Sequence, residues 1–401
     1  MKALFTFAKD FAEEAANKQL ARKQDRSVRE LIAGLAVTNP SAVQSVDARA
    51  QRIKHELACN PINLAGLKRL TFHGIPENKD HLRGLVWKLL LKYLPTDQED
   101  WSVALARNRT QYHIFREELS IQPKRGCPSH DPLSGHHSSQ ELQGEDVTRE
   151  DHPLSLDHGS RWHTYFKDNE IIQQVERDVV RTHPDMHFFT GDSEESELHR
   201  EEMARALFMY AKLNPGLCYI QGMNELIAPL YYLFKTDPDP MAARYAEADC
   251  FWCFVELISE FRDHFCQQLD NASSGIRATI RKLMLVLQHH DMALWKHMEV
   301  TEKVDPQFYA FRWITLLLSQ EFAFPDAMRI WDTILSDPHG RMDCLLRICT
   351  AMILNIRHVL IAGDFTTILK TLQRYPPVDV NVLLQMAAAM PSCRSVLGAP
   401  V

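Results

Sequence analysis

Arg181 and Gln221 are the residues of this chain whose types and settings could handle a phosphate chain. Arg181 closes the stretch Asn169 to Arg181, in which Ile171, Val175 and Val179 recur at helical spacing as one apolar stripe. Gln174, Asp178 and Arg181 fall on another face at i, i+4 and i+7, so a carboxylate precedes an arginine by one turn. Pro184 predicts a helix end near His183, because the residue before proline avoids helical geometry. Arg181 is then on the last turn, free to reach outward. Further on, Asn214-Pro215-Gly216 breaks a helix ending at Leu213, and Tyr219-Ile220-Gln221-Gly222-Met223-Asn224 leads into an apolar helix over Glu225 to Phe234. An arginine at one helix end and an amide beside a helix N-terminus can together face a polyanion such as a nucleotide phosphate chain. Read on spacing alone, Asp178 and Arg181 make a surface helix ion pair and Gln221 is a loop amide. Trp87, sharing a face with Arg83, is then a core residue.

Other chemistries find little support. Cys250-x-x-Cys253 lies inside the apolar run Phe251 to Val255 with no second Cys or His pair at ligand spacing, which reads as two core cysteines. His136-His137 and His289-His290 are adjacent pairs without the i, i+4 geometry of a helical zinc site, so no metal site is expected. Asn271-Ala272-Ser273 matches a glycosylation sequon only in letters. No glycine-rich phosphate loop, dinucleotide fingerprint or nucleophile elbow is present, so the chain does not read as an autonomous nucleotide enzyme.

The elements that must carry these residues are helices throughout. The chain has 401 residues, 45% of them apolar, enough for one large domain or two ordinary ones. A formal charge of -7 and the lack of a basic patch exclude nucleic acid as the expected partner. Nine scattered cysteines without a secretory signal read as reduced thiols in the cytoplasm, and no uninterrupted apolar run of membrane-spanning length occurs. Leu4, Phe7, Phe11 and Ala15 share a helical face beside Arg22, Lys23 and Arg26, a pattern compatible with peripheral membrane contact. Asp10, Glu13 and Glu14 weaken its cationic face and favour a docked helix or a loosely ordered extension. From His81 to Leu94, Leu82, Leu85, Val86, Leu89 and Leu90 form a helical stripe, and helices follow over Trp101 to Leu119, Phe308 to Phe322, Ala327 to Leu335 and Leu345 to Leu360. Residues 121 to about 158 lose periodicity and fill with Pro, Ser, Gly, His and acidic groups, as a flexible insertion would. No strand alternation persists, so the expected fold class is all-α. The expected organisation is an N-terminal extension over 1–68, a core over 69–337 and completing helices over 338–401.

Three short motifs, in order, resemble those of the TBC-domain GTPase-activating proteins for Rab GTPases. Gly74-Ile75-Pro76 with Leu82-Arg83-Gly84-x-x-Trp87 resembles the first, Val175-x-x-Asp178-x-x-Arg181 the second and Tyr219-x-Gln221 the third. Phe311-Arg312-Trp313, Glu321-Phe322 and Arg329-Ile330-Trp331-Asp332 resemble the family's later helices. Val175 stands where the family pattern has isoleucine, an exchange between β-branched residues that touches only packing.

The resemblance implies a multi-helix domain in two helical subdomains that acts in trans on a GTP-bound Rab and so regulates vesicle trafficking. It implies that Arg181 stabilises transition-state charge and Gln221 orients the attacking water. Arg83, Asp178, Arg181 and Gln221 should converge on one groove, Asp178 pairing with Arg83 and Arg181, Tyr219 shaping the Gln221 loop and Trp87 anchoring by packing. Magnesium and GTP would belong to the partner, leaving this chain without a cofactor. A silent helical effector or scaffold is the alternative, and retention of both Arg181 and Gln221 weighs against it. The composition of 121–158 cannot bury enough apolar surface to offset ordering entropy. Replacing it with a short Gly-Ser linker should leave most stimulated GTP hydrolysis intact; loss of activity with helicity preserved would make the insertion a partner contact.

Overall fold

The computed structural model describes residues 45–76, 81–119, 161–265 and 275–398, and every regular element within them is helical. The N-terminal stretch from Leu4 to Ala15, the 121–158 insertion, His136-His137 and Asn271-Ala272-Ser273 lie outside the described residues. The first half comprises α1 (Ser45–Leu57), α2 (Leu64–Thr71), α3 (Leu82–Leu90), α4 (Trp101–Leu119), α5 (Arg161–Val179), α6 (Glu194–Leu213), α7 (Met223–Lys235) and α8 (Ala246–Phe265). In the second half, α9 (Ile276–His290), α10 (Gln307–Thr315), α11 (Phe324–Ser336), α12 (Arg341–Asn355), α13 (Phe365–Gln373) and α14 (Val380–Ala389) follow, with shorter helical turns between them. The boundary expected at 68/69 falls inside α2, and one continuous apolar cluster runs from Ala50 to Cys393.

Each half is built around a helix that is apolar nearly all round, as a helix must be when neighbours cover every face. In the first half this is α7, buried from Met223 to Tyr231 and packed against α6 and α8. In the second it is α12, buried over most of its length and packed against α9, α11 and α14. The helix α11 joins the halves, touching α2 and α3 on one side and α12 and α14 on the other.

A buried carboxylate fixes that joint. Asp332 on α11 is fully buried and takes four donors from the first half. Arg83 Nε donates to Oδ1 at 3.0 Å and Nη2 to Oδ2 at 3.1 Å, Trp87 Nε1 donates to Oδ1 at 2.9 Å, and the Ile75 amide donates to Oδ2 at 2.9 Å. The Trp87 and Trp331 rings stack with centroids 5.7 Å apart. Arg83 and Trp87 share a face because they are one turn apart, and that face meets α11. A second buried carboxylate, Asp249 on α8, ties down α3 and α4: Arg109 Nε and Nη2 donate to it at 2.8 Å each, and Lys88 Nζ and Tyr93 Oη at 2.7 Å each. Burial alone would raise the Asp249 carboxyl, but Arg109 and Lys88 overcome it and hold the group well below the usual carboxylate range.

Two expected helices are shorter than their apolar patterns. The helix expected over Phe308 to Phe322 ends at Thr315, because Leu317 and Leu318 take left-handed backbone at φ 48° and 63° while their side chains remain buried. Tertiary packing overrides propensity here: the Leu317 carbonyl accepts from Trp331 Nε1 at 3.2 Å, and the Leu318 amide reaches back to the Trp313 carbonyl at 3.0 Å. The stretch expected as one helix over Leu345 to Leu360 divides at Ile356 into α12 and a short helix over Arg357–Ala362.

Removing the α11 carboxylate should leave the largely buried Arg83 guanidinium without its Asp332 bonds. Asp332→Ala should lower unfolding stability by about 3–5 kcal/mol, measured by urea denaturation followed by circular dichroism. The Arg83→Met/Asp332→Ala double variant should be less destabilised than Asp332→Ala alone, since no uncompensated charge remains; equal or greater loss would contradict this role for the pair.

Candidate functional site

The end of α5 and the start of α7 meet along a polar seam. Val175 and Val179 anchor α5 in the core, and Asp178, at the edge of the same stripe, is buried with them. The α-helix ends at Val179, and the chain continues through tight turns in which the Arg181 amide donates to the Asp178 carbonyl at 3.1 Å and the Thr182 amide to that of Val179 at 3.1 Å. Arg181 therefore sits just beyond the helix rather than on its last turn. His183 takes left-handed backbone at φ 41° ahead of Pro184, which makes the turn final.

From the other side, Tyr219 Oη donates to Asp178 Oδ2 at 2.9 Å. Burial raises the Tyr219 phenol well above its ordinary value, and the Asp178 carboxylate adds to the rise, so the hydroxyl keeps its proton and remains a donor. Asn224, in the first turn of α7, holds the rest of the seam: its Nδ2 is 2.9 Å from Thr182 Oγ1, 3.2 Å from Glu225 Oε1 and 3.3 Å from the Asp178 carbonyl. Because Thr182 Oγ1 donates its own proton to the Asp178 carbonyl at 3.1 Å, its lone pair is left to accept from Asn224. The neighbouring Glu225 is buried, which raises its carboxyl, and His183 Nε2 lies 3.7 Å from its Oε2.

Arg181 is bracketed by Asp178 and Thr182, and Gln221 by Tyr219 and Asn224. The four brackets are buried and bond one another, whereas Arg181 and Gln221 are exposed. Neither of these two side chains has a hydrogen bond or ion pair among the described residues. Two uncommitted polar groups thus leave adjoining backbone along one seam. Val180, next to Arg181, is 60% exposed. Gln221 is set by Gly222, whose φ of 101° starts α7; a Cβ there would lie 2.6 Å from Leu316 Cδ2. The left-handed leucines after α10 therefore carry Leu316 to the base of the Gln221 turn, where only glycine fits.

Arg83 is committed elsewhere. The expected pairing of Asp178 with Arg83 and Arg181 is replaced by Asp178 with Tyr219 and Arg83 with Asp332. A Cβ on neighbouring Gly84 would lie 3.8 Å from Leu233 and 3.9 Å from Phe234, near the C-terminal end of α7. Gln221 stands at the opposite end of that helix, which separates the two by about 15 Å at 1.5 Å per residue. Arg83 and Trp87 thus build the joint between halves, whereas Asp178, Arg181, Tyr219 and Gln221 gather at the seam.

Thr182, Asn224 and Asp332 were not singled out by spacing. The available signal was polarity in apolar company: Asn224-Glu225 interrupts the otherwise apolar α7, and Asp332 follows Ile330-Trp331. A polar residue on a buried stripe requires a partner. Cys250 and Cys253 are buried free thiols, raised by burial, in the core beside α7. Among the described residues no cluster of His, Cys, Asp and Glu could hold a metal, and no helix is long and apolar enough to cross a membrane.

A family model described as the Rab-GTPase-TBC domain matches residues 80–361. TBC1 domain family member 13 of Homo sapiens is 39% identical over 386 residues, covering 81% of this chain and 93% of the relative. GTPase-activating protein gyp1 of Schizosaccharomyces pombe is 26% identical over 372 residues, covering 88% of this chain and 62% of its own. The fold is similar to the crystal structure of the Ypt/Rab-GAP domain of Gyp1p, with a TM-score of 0.66 at 23% identity over 86% of this chain and 98% of that one.

A double-mutant cycle tests the seam. Asn224→Ala and Thr182→Val each remove one partner of a buried bond, and each should cost about 1–3 kcal/mol. The pair should show an interaction energy of at least about 0.5 kcal/mol in urea denaturation; strictly additive losses would mean that the two side chains do not hold each other.

Proposed function

Since the chain belongs to the Rab-GTPase-TBC domain family, we propose that it accelerates hydrolysis of GTP bound to a Rab-family small GTPase, supplying Arg181 and Gln221 in trans. One observation carries this reading: an exposed arginine and an exposed glutamine, both without hydrogen-bond partners among the described residues, leave two segments locked together by the Asp178–Tyr219 and Asn224–Thr182 bonds. A loosening γ-phosphoryl group spreads charge over its oxygens, and an arginine from an activating protein stabilises that charge by about 10³ to 10⁵ in rate. Gln221 supplies the second requirement, an amide that both accepts from and donates to the attacking water.

The seam gives Asp178 a role other than pairing with the finger. Its carboxylate is occupied by Tyr219, so Arg181 is not neutralised from below and keeps its fork of donors for phosphate oxygens. Preorganisation of this kind leaves less reorientation to be done as the charge develops. Trp87 and Arg83 act at a distance, by fixing α3 against α11. Magnesium and the nucleotide are the partner's, and the chain contributes side chains without a cofactor. By returning a Rab to its GDP state, such a protein would act on vesicle trafficking at the cytoplasmic face of endomembranes.

Single-turnover hydrolysis by a GTP-loaded Rab, selected from a panel as the one this chain stimulates, is the test. Arg181→Ala should cut the stimulated rate by about 10³ or more, roughly 4 kcal/mol of barrier, while Rab binding changes far less. Arg181→Lys should not restore it, because an ammonium lacks the planar fork. Gln221→Ala should also lower the rate strongly, and the double variant should be little worse than the poorer single one, since both act on one transition state. Wild-type rates in both single variants, with helicity unchanged, would mean that the chain binds without activating.

A further inference from the structure

Away from the seam, a cavity of about 650 Å³ opens between α2, the turn after α11 and the end of α14. That volume suits a small organic ligand. Phe72 and Met390 give it an apolar wall, and Lys68, Arg69, His73 and His339 line it as well. None of these four side chains has a hydrogen bond or ion pair among the described residues. The one carboxylate on the lining, Asp337, is already occupied: Arg347 Nη2 donates to Oδ2, and the His339 amide donates to Oδ1 at 2.7 Å. Arg347 is shared with Asp343 at 2.7 Å, so the oxygens of Asp337 are already engaged, and neither Lys68 nor Arg69 forms an ion pair among the described residues.

We propose that this cavity binds a phosphate monoester attached to an apolar group. A phosphate monoester presents three acceptor oxygens and nearly two charges at neutral pH. That matches the several donors that Lys68, Arg69, His73 and His339 bring to the lining better than the two oxygens of a carboxylate do. The apolar part of the ligand would lie on Phe72 and Met390. Two further facts agree. Lys68 is held below the ordinary lysine range, first by burial and then by Arg341, with Glu260 and Asp337 offsetting the fall only in part, so a bound anion would favour its charged form. Arg69 is exposed, so an anion can reach it from solvent, and neither residue belongs to the Arg181–Gln221 seam.

The full chain is titrated with 1-naphthyl phosphate by calorimetry and, separately, sedimented with phosphatidylcholine vesicles with or without phosphatidic acid. Saturable binding of naphthyl phosphate is expected, weakened about tenfold or more in Lys68→Gln/Arg69→Gln. It should also be blocked in Ala388→Trp, whose bulk fills the cavity from exposed α14 without removing a charge. Retention on phosphatidic-acid vesicles that both variants lose would assign the ligand to a lipid headgroup; binding of the soluble ester alone would assign a free metabolite. No saturable binding to either probe, or undiminished binding in both variants, would overturn the proposal. Stimulated GTP hydrolysis should be unchanged in these variants without ligand, so the outcome is independent of the activity assigned to Arg181 and Gln221.

Discussion

Asp332 is the constraint on which the architecture turns. A carboxylate removed from water is costly unless its oxygens are filled, and here four donors from Arg83, Trp87 and the Ile75 amide fill them. Those donors come from residues some 250 positions earlier in the chain, so the two halves cannot separate without stranding the charge. The stacked Trp87 and Trp331 rings exclude water from the same joint. With α11 fixed, the segment before it is fixed too: the left-handed leucines must reverse the chain, and Leu316 must lie against Gly222. The turn that carries Gln221 is thereby supported from the second half of the molecule, whereas the Asp178–Tyr219 and Asn224–Thr182 bonds belong to the first.

At the seam, polar side chains divide between those that hold and those that remain available. Asp178, Thr182, Tyr219 and Asn224 are buried and satisfy one another, and Arg181 and Gln221 project from the same turns without hydrogen-bond partners among the described residues. This division is what a site acting on another molecule's transition state requires. A finger already paired with its own carboxylate would have to break that pair before reaching phosphate, whereas one left open needs only to be positioned.

Much of the helical plan was legible in the amino-acid sequence, because amphipathic spacing reports which face is buried. Val175 and Val179 marked the buried stripe of α5 and Asn214-Pro215-Gly216 the end of α6, whereas Pro184 set the end of α5 near His183, later than its end at Val179. The partners of polar residues were not legible. Asp178 and Arg181 are three apart and invite pairing, yet Asp178 lies only about 60° around the helix from Val175 and turns inward, and Arg181 escapes because the helix has already ended. Arg83 showed its shared face with Trp87 but not the α11 carboxylate that both address, since nothing local encodes a contact across 249 positions. The run Trp313 to Leu318 reads as continuing helix by composition, and only the packing of Trp331 and Leu316 reveals why it stops.

The central claim is that Arg181 and Gln221 meet one γ-phosphate. A structure of this chain bound to a Rab loaded with GDP and aluminium fluoride examines it most directly, because the fluoride mimics the transferring phosphoryl group and recruits what recognises the transition state. In the expected complex the Arg181 guanidinium and the Gln221 amide both lie within hydrogen-bond distance of the fluoride or its axial water, with the Asp178–Tyr219 bond intact. A complex in which either side chain faces away from the nucleotide, with the Rab's own glutamine on the water, would contradict it.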